Sequence, residues 1–141
     1  MPNIELKDIL INARQESHRM QHYYIGVEHL FVALLEIQGG LARSLLEAQG
    51  LASEYVIDAV RRKIGKGSQR RLWAGAPFTP RASVVIGIAQ DLASEDGREE
   101  INERDLLIAL IEEADSIPLR VVRTLGVDFQ RLAEMAHTHS L

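Results

Sequence analysis

The stretch Ile25-Gly-Val-Glu-His-Leu-Phe-Val-Ala-Leu-Leu-Glu36 returns, altered, 76 residues later as Ile101-Asn-Glu-Arg-Asp-Leu-Leu-Ile-Ala-Leu-Ile-Glu112. At that offset the chain aligns with itself without a gap. Ala13 falls on Ala89, Leu30 on Leu106, Ala33 on Ala109, Leu34 on Leu110 and Gly50 on Gly126. Ile9 and Leu10 meet Val85 and Ile86, and Leu46 and Leu51 meet Val122 and Val127. Small, large and Gly positions stay in phase over roughly sixty residues, which is the mark of one supersecondary unit used twice. A unit of this size has too thin a core to be stable alone, so two copies must bury their apolar faces against each other.

The spacing within each copy is helical. Leu6, Ile9, Leu10, Ala13 and Met20 recur every three or four residues, with Lys7, Asp8, Arg14 and Glu16 between them. That predicts an amphipathic helix over about 4–20, with Asn3 as its N-cap. A second helix, about 27–37, is apolar nearly all round and is therefore central. Gly39-Gly40 ends it, and a third helix runs over about 41–48 to a C′ glycine, Gly50. Ser53 is the expected cap of a fourth, with Tyr55, Val56, Ala59, Val60 and Ile64 inward. The second copy has clearer punctuation. Thr79-Pro80 is an N-cap followed by Pro at the first helical position. Asn102 and Asp105 form a box-like cap, Ser116 with Pro118 opens a short helix, and Asp128 caps the last one, with Phe129, Leu132 and Met135 inward.

No segment alternates with a two-residue period. The expected fold is all-α, about eight helices in two four-helix repeats related by an approximate two-fold axis. The chain reads as one domain, residues 1–141: repeat one about 3–65, a linker about 66–78, and repeat two about 79–139. Leu30, Leu34, Leu106 and Leu110 are expected in the core.

No chemistry is written into this pattern. There is no cysteine, no Gly-x-Ser-x-Gly elbow, no His-Glu-x-x-His helix and no complete phosphate loop; in Lys63-Ile-Gly-Lys-Gly-Ser68, Gly67 separates the Lys from the Ser. The chain is therefore not expected to be an enzyme, and no cofactor is expected. His18 and His22 lie four apart on the first helix but lack an evident third ligand, so no metal site is expected. The net charge of −4 and an aromatic content of 5% argue against nucleic acid. The longest apolar run, Leu30–Leu35, is too short to cross a bilayer. The absence of cysteine and of a signal pattern points to the cytoplasm.

Two copies of a helix–Ile-Gly-x-Glu-His-Leu-helix unit, the second opened by Phe78-Thr-Pro-Arg-Ala82, resemble the N-terminal domain of the Clp/Hsp100 unfoldases. Lys63-Ile-Gly-Lys-Gly67, Leu-Glu-Ala-Gln-Gly50 and Thr-Leu-Gly-Val-Asp128 fit the same pattern, and the resemblance, nearer the ClpC and ClpA type than ClpB, covers almost the whole chain. It implies a mobile, non-catalytic interaction module ahead of an AAA+ ring. Such a module docks adaptor proteins and protein substrates for unfolding and proteolysis, with the Clp-type ring in cis or in trans, and is monomeric in isolation. Any ATPase activity would belong to a longer parent chain.

The resemblance also implies two pockets for phosphorylated arginine, where the family carries Gly-Thr-Glu-His at the start of the second helix of each repeat. Here the first copy reads Gly26-Val27-Glu28-His29 and the second Asn102-Glu103-Arg104-Asp105. Val27 lacks the hydroxyl, and Arg104 would repel the guanidinium that a carboxylate should hold. The candidate binding residues are thus Val27, Glu28, Glu103 and Arg104, together with Phe78 and Arg81, which fall where the family presents a surface groove. The rival reading is a regulatory domain that senses phosphoarginine or another small charged ligand; a weaker one is a module for oligomer assembly. Each candidate also has a plain reading. Glu28 suits the positive end of a helix dipole. The basic residues Arg61, Arg62, Lys63, Lys66, Arg70 and Arg71 suit a solvated helix end, or an acidic partner. Trp73 and Phe78 either pin the linker or line a groove.

Overall fold

Two short apolar helices lie at the centre. Every residue from Val27 to Leu35 except Glu28 is buried, and so is the run Leu106–Leu110. Each large side chain in these runs contributes roughly 1.5–3 kcal/mol on burial. The computed structural model describes residues 4–22, 24–67, 76–113 and 116–138. These hold eight helices: α1 Leu6–Arg19, α2 Val27–Leu35, α3 Leu41–Ala48, α4 Ser53–Ile64, α5 Pro80–Glu95, α6 Glu103–Glu112, α7 Ile117–Thr124 and α8 Phe129–Thr138. The fold is all-α and doubled. The last three helices of the second repeat begin 76 residues after those of the first.

The repeats interlock. The first helix of each packs on its own second helix, α1 on α2 and α5 on α6, and α2 touches α6. Beyond that the packing is exchanged: α4 lies against α7 and α3 against α8. One cluster of buried apolar side chains runs through both halves. The segment before each second helix also clips to the other repeat. Ile25 N–H donates to Pro77 C=O at 2.8 Å and Thr79 N–H to Ile25 C=O at 3.0 Å, while Leu6 N–H donates to Ile101 C=O at 3.0 Å.

Local signals were kept where a polar group had one evident task. Thr79 Oγ1 accepts from Ala82 N–H at 3.1 Å, and Asn102 and Asp105 form a reciprocal capping box with both bonds at 3.0 Å. Asp128 accepts from Arg131 N–H at 3.1 Å. Four expectations are corrected. The residue capping α1 is Glu5, whose N–H donates to Asp8 at 3.1 Å; Asn3 lies outside the described residues. The cap position of α4 is Ala52, and Ser53, the first helical residue, is fully buried. Tyr55 faces out, 54% exposed, because Val56 and Val60 define the inward stripe. Glu16, expected on the polar face of α1, is buried, because Arg61 of α4 crosses to meet it.

Candidate functional site

At the start of α2, Gly26 is the N-cap residue and His29 occupies the third helical position. A side chain there can satisfy one of the otherwise orphaned N–H groups of the helix end. His29 does so with Nδ1, which accepts from Gly26 N–H at 2.8 Å. That leaves the proton on Nε2, which donates to Nδ1 of His22 at 2.7 Å. His22 in turn donates from Nε2 to the carbonyl of Gly65 at 2.9 Å. Every donor and acceptor of this relay is matched only when both rings are neutral. His29 is buried, and desolvation, helped by the neighbouring His22, pulls its pKa down to about 4. The relay ties the end of α4 to the α1–α2 turn. Gly67 N–H donates to Met20 C=O at 2.8 Å beside it, so close to the α1–α2 turn that a Cβ on Gly67 would lie 2.4 Å from Gln21 O.

Glu28 sits next to this relay. Its carboxylate folds back over Gly26, where a Cβ would lie 2.1 Å from Oε1. Oε1 is buried without a hydrogen-bond partner, and burial raises the carboxyl pKa against the opposing pull of the residue's own backbone N–H and of His22. The cavity that Glu28, His29, His22 and Glu16 share is about 10 Å³, room for a water molecule at most. Val27 is buried and faces the core.

In the second repeat the same positions do different work. Glu103 is 8% exposed, and its Oε1 accepts from Leu41 N–H at 2.5 Å, so it caps α3 of the other repeat. Arg104 is half-buried, and its Nε has no partner. It borders a cavity of about 320 Å³ with Arg98, Asp105 and His137. Arg98 holds Asp105 in a two-pronged ion pair, both contacts 2.8 Å, and its pKa is pushed further above its ordinary value by Asp105 and Asp96.

Phe78 and Arg81 lie elsewhere on the surface. Phe78 is bridged in parallel to Ile25, three residues before Glu28, and remains 37% exposed. Arg81 is exposed in the first turn of α5, and Val84, three residues on and therefore on the same side of the helix, is 50% exposed. The fold thus brings Phe78 beside Ile25, with Arg81 exposed in the first turn of α5, and leaves Glu103 and Arg104 at the start of α6. Trp73 lies outside the described residues. Among the described residues no group of three or more His, Cys, Asp or Glu could hold a metal ion, and no helix is long and apolar enough to cross a membrane.

Three polar constellations escaped the one-dimensional reading: His22–His29, Arg98–Asp105, and Glu16 with Arg19 and Arg61. The first two could have been found. His22 and His29 become Arg98 and Asp105 at the 76-residue offset, so both members of a pair change together between the copies. No such signal marked Glu16.

The family described as the Clp repeat (R) N-terminal domain matches residues 1–86 and 77–139. The chain is 32% identical over 123 residues to the negative regulator of genetic competence ClpC/MecB of Bacillus subtilis, a match covering 87% of this chain and 15% of that protein. Its fold is similar to the Hsp104 N-terminal domain of Candida albicans, with a TM-score of 0.79 at 15% identity over 97% of this chain and 91% of the other. It is similar also to a ClpV N-domain solved in complex with a VipB peptide, with a TM-score of 0.66 at 20% identity over 96% and 86% of the two chains.

Proposed function

Because the chain belongs to the Clp repeat N-terminal domain family, we propose that residues 1–141 form a non-catalytic docking module that recruits protein substrates or adaptor proteins to a Clp-type ATPase ring, in cis or in trans, for unfolding and proteolysis. The observation that carries this reading is the edge formed by Phe78, Arg81 and Val84. Phe78 and Val84 stand exposed there, with the exposed Arg81 between them in sequence, and Phe78 is paired through the backbone to Ile25. Exposed apolar groups with an Arg are the material of protein interfaces. The peptide bound to the related ClpV N-domain supports the same class of partner.

One observation favours a small cationic ligand instead, namely the buried, unpartnered Oε1 of Glu28. The space beside it weighs against that reading, because about 10 Å³ cannot admit a guanidinium. Val27 and Glu103 face inward, and Arg104 repels a cation, which leaves Glu28 as the one candidate of the four with a carboxylate to offer.

The test is binding of a chemically unfolded, fluorescein-labelled client protein, followed by anisotropy, to the wild type and to Phe78→Ala/Arg81→Ala. The expected result is a dissociation constant raised about tenfold in the variant. Absence of binding, or equal binding by the variant, overturns the reading. Calorimetric titration of free phosphoarginine into the wild type and Glu28→Ala completes it. No heat is expected; one equivalent bound by the wild type and lost in Glu28→Ala would establish the ligand-sensing rival.

A further inference from the structure

A second surface, lined by neither Phe78 nor Arg81, is the groove where α4 crosses α7. Its volume is about 610 Å³, and it is lined by Ala59, Val121 and Leu125 along the floor and by Arg62, Lys63 and Arg120 around it. The three cations are exposed and make no ion pair among the described residues. No lining residue is acidic. This is a local concentration of positive charge on a chain whose net charge is −4.

The doubled fold supplies a control. The equivalent place, 76 residues away, lies between α8 and α3 and holds Met135 for Ala59, Thr138 for Arg62, Ser44 for Arg120, Leu45 for Val121, Ala48 for Thr124 and Gln49 for Leu125, while the equivalent of Lys63, His139, lies outside the described residues. The described positions carry no charge. Leu45 is buried, and Gln49 joins the two helices by hydrogen bonds with the backbone of Asp128, at 3.0 and 3.3 Å. The architecture therefore closes the same crossing without cations. Arg62 and Arg120 are thus not required by the packing, and Val121 and Leu125 are left only half covered.

We propose that the α4–α7 groove is a docking site for an acidic amphipathic segment of a partner protein, with apolar residues on Val121 and Leu125 and carboxylates toward Arg62, Lys63 and Arg120. The chemistry selects this occupant. Three cations around an apolar floor match a helix or extended strip that alternates leucine-like and carboxylate side chains. A nucleic acid is disfavoured because the lining offers no aromatic for a base to stack on. A second copy would have to bring an acidic strip of its own against a face that carries the same sign on both molecules. The site goes beyond the Phe78 edge and does not depend on it.

The test uses a fluorescein-labelled, amidated peptide of about 16 residues composed of Leu, Ala and Glu in a helical pattern, and the same peptide with every Glu replaced by Gln. Anisotropy is read with the wild type, with Arg62→Glu/Arg120→Glu, and with Phe78→Ala. Binding of the acidic peptide should weaken about tenfold in the charge-reversed protein and for the Gln peptide, since each exposed ion pair contributes a fraction of a tenfold step and reversal adds repulsion. Phe78→Ala should bind it as the wild type does, which separates this site from the first. Circular dichroism of the charge-reversed variant checks its fold, and Arg62→Gln/Arg120→Gln, which adds no charge, should give a smaller loss in the same direction. Equal binding of the two peptides, or no loss in either groove variant, overturns the proposal. So does tighter binding of a single-stranded oligonucleotide that the same variants abolish. Self-association of the wild type by sedimentation, removed by these substitutions, would reassign the groove to a second copy.

Discussion

The two repeats solve one problem at the same place with opposite chemistry. Each second helix begins with an N-cap residue whose N–H must be satisfied, and in each the third helical residue does it: His29 for Gly26, Asp105 for Asn102. Each acceptor is steadied by a partner seven residues earlier. In the first repeat that partner is His22, and the pair must be neutral. In the second it is Arg98, and the pair must be charged. The surroundings follow suit. The neutral relay lies near the buried Glu16, itself held by Arg61 and Arg19, whereas the position equivalent to Glu16 is Leu92. A fold thus constrains the hydrogen-bond count at a helix start far more tightly than the charge state of the groups that meet it.

The largest loss is expected in the second repeat. Arg98→Ala leaves the carboxylate of Asp105, 4% exposed, without its counter-charge. A loss of about 3 kcal/mol is expected in urea unfolding, because an orphaned buried charge loses more than a neutral bond.

The next effect is a pH dependence confined to the first repeat. The folded-state pKa of His29 is about 4 against an ordinary value of 6.5. Between those values the unfolded chain binds the proton and the folded chain does not, so stability is present above about pH 6.5 and is lost as pH falls toward 4. The loss is at most about 3 kcal/mol, measured by denaturant midpoints at pH 7, 5 and 4. Transplanting the other repeat's solution with His22→Arg/His29→Asp should flatten the curve over that window. A slope unchanged by the transplant would remove His29 as its cause.

A smaller effect separates Glu103 from its repeat-one equivalent, Val27. Glu103→Ala deprives Leu41 N–H of its acceptor and should cost about 1–2 kcal/mol, a typical lost cap. The smallest effect concerns Glu28, whose raised pKa has the reverse sign. Folding favours its protonated form, so its burial becomes less unfavourable as pH falls. Glu28→Gln should therefore raise stability at pH 7 by about 1 kcal/mol and steepen the acid loss assigned to His29.

What could be read along the chain divides by range. Thr79, Asn102 and Asp128 lie next to the helix ends they cap, so spacing alone identified them. Glu16 could not be read that way, because the residue that makes its burial tolerable is Arg61, 45 positions away. Ser53 misled for the complementary reason: it has the composition of a cap, but the inward stripe of α4 draws it into the core one residue past the cap position. Among the candidate site residues, Phe78 and Arg81 are exposed. Glu103 was a candidate only through its place in the Asn102–Asp105 motif; its distant partner, the Leu41 N–H, is a backbone group that no side-chain pattern reveals.

The 76-residue self-similarity and the apolar periodicities determined that the chain is all-helical and doubled, because those features depend on neighbours within one or two turns. Only the tertiary structure decided which carboxylates became structural, which histidines had to stay neutral and which cations were left facing an open groove. Pairing between distant elements set those outcomes: Arg61 of α4 reaching Glu16 of α1, Leu41 of α3 donating to Glu103 of α6, the end of α4 joining the histidine relay, and the α4–α7 crossing leaving its cations exposed.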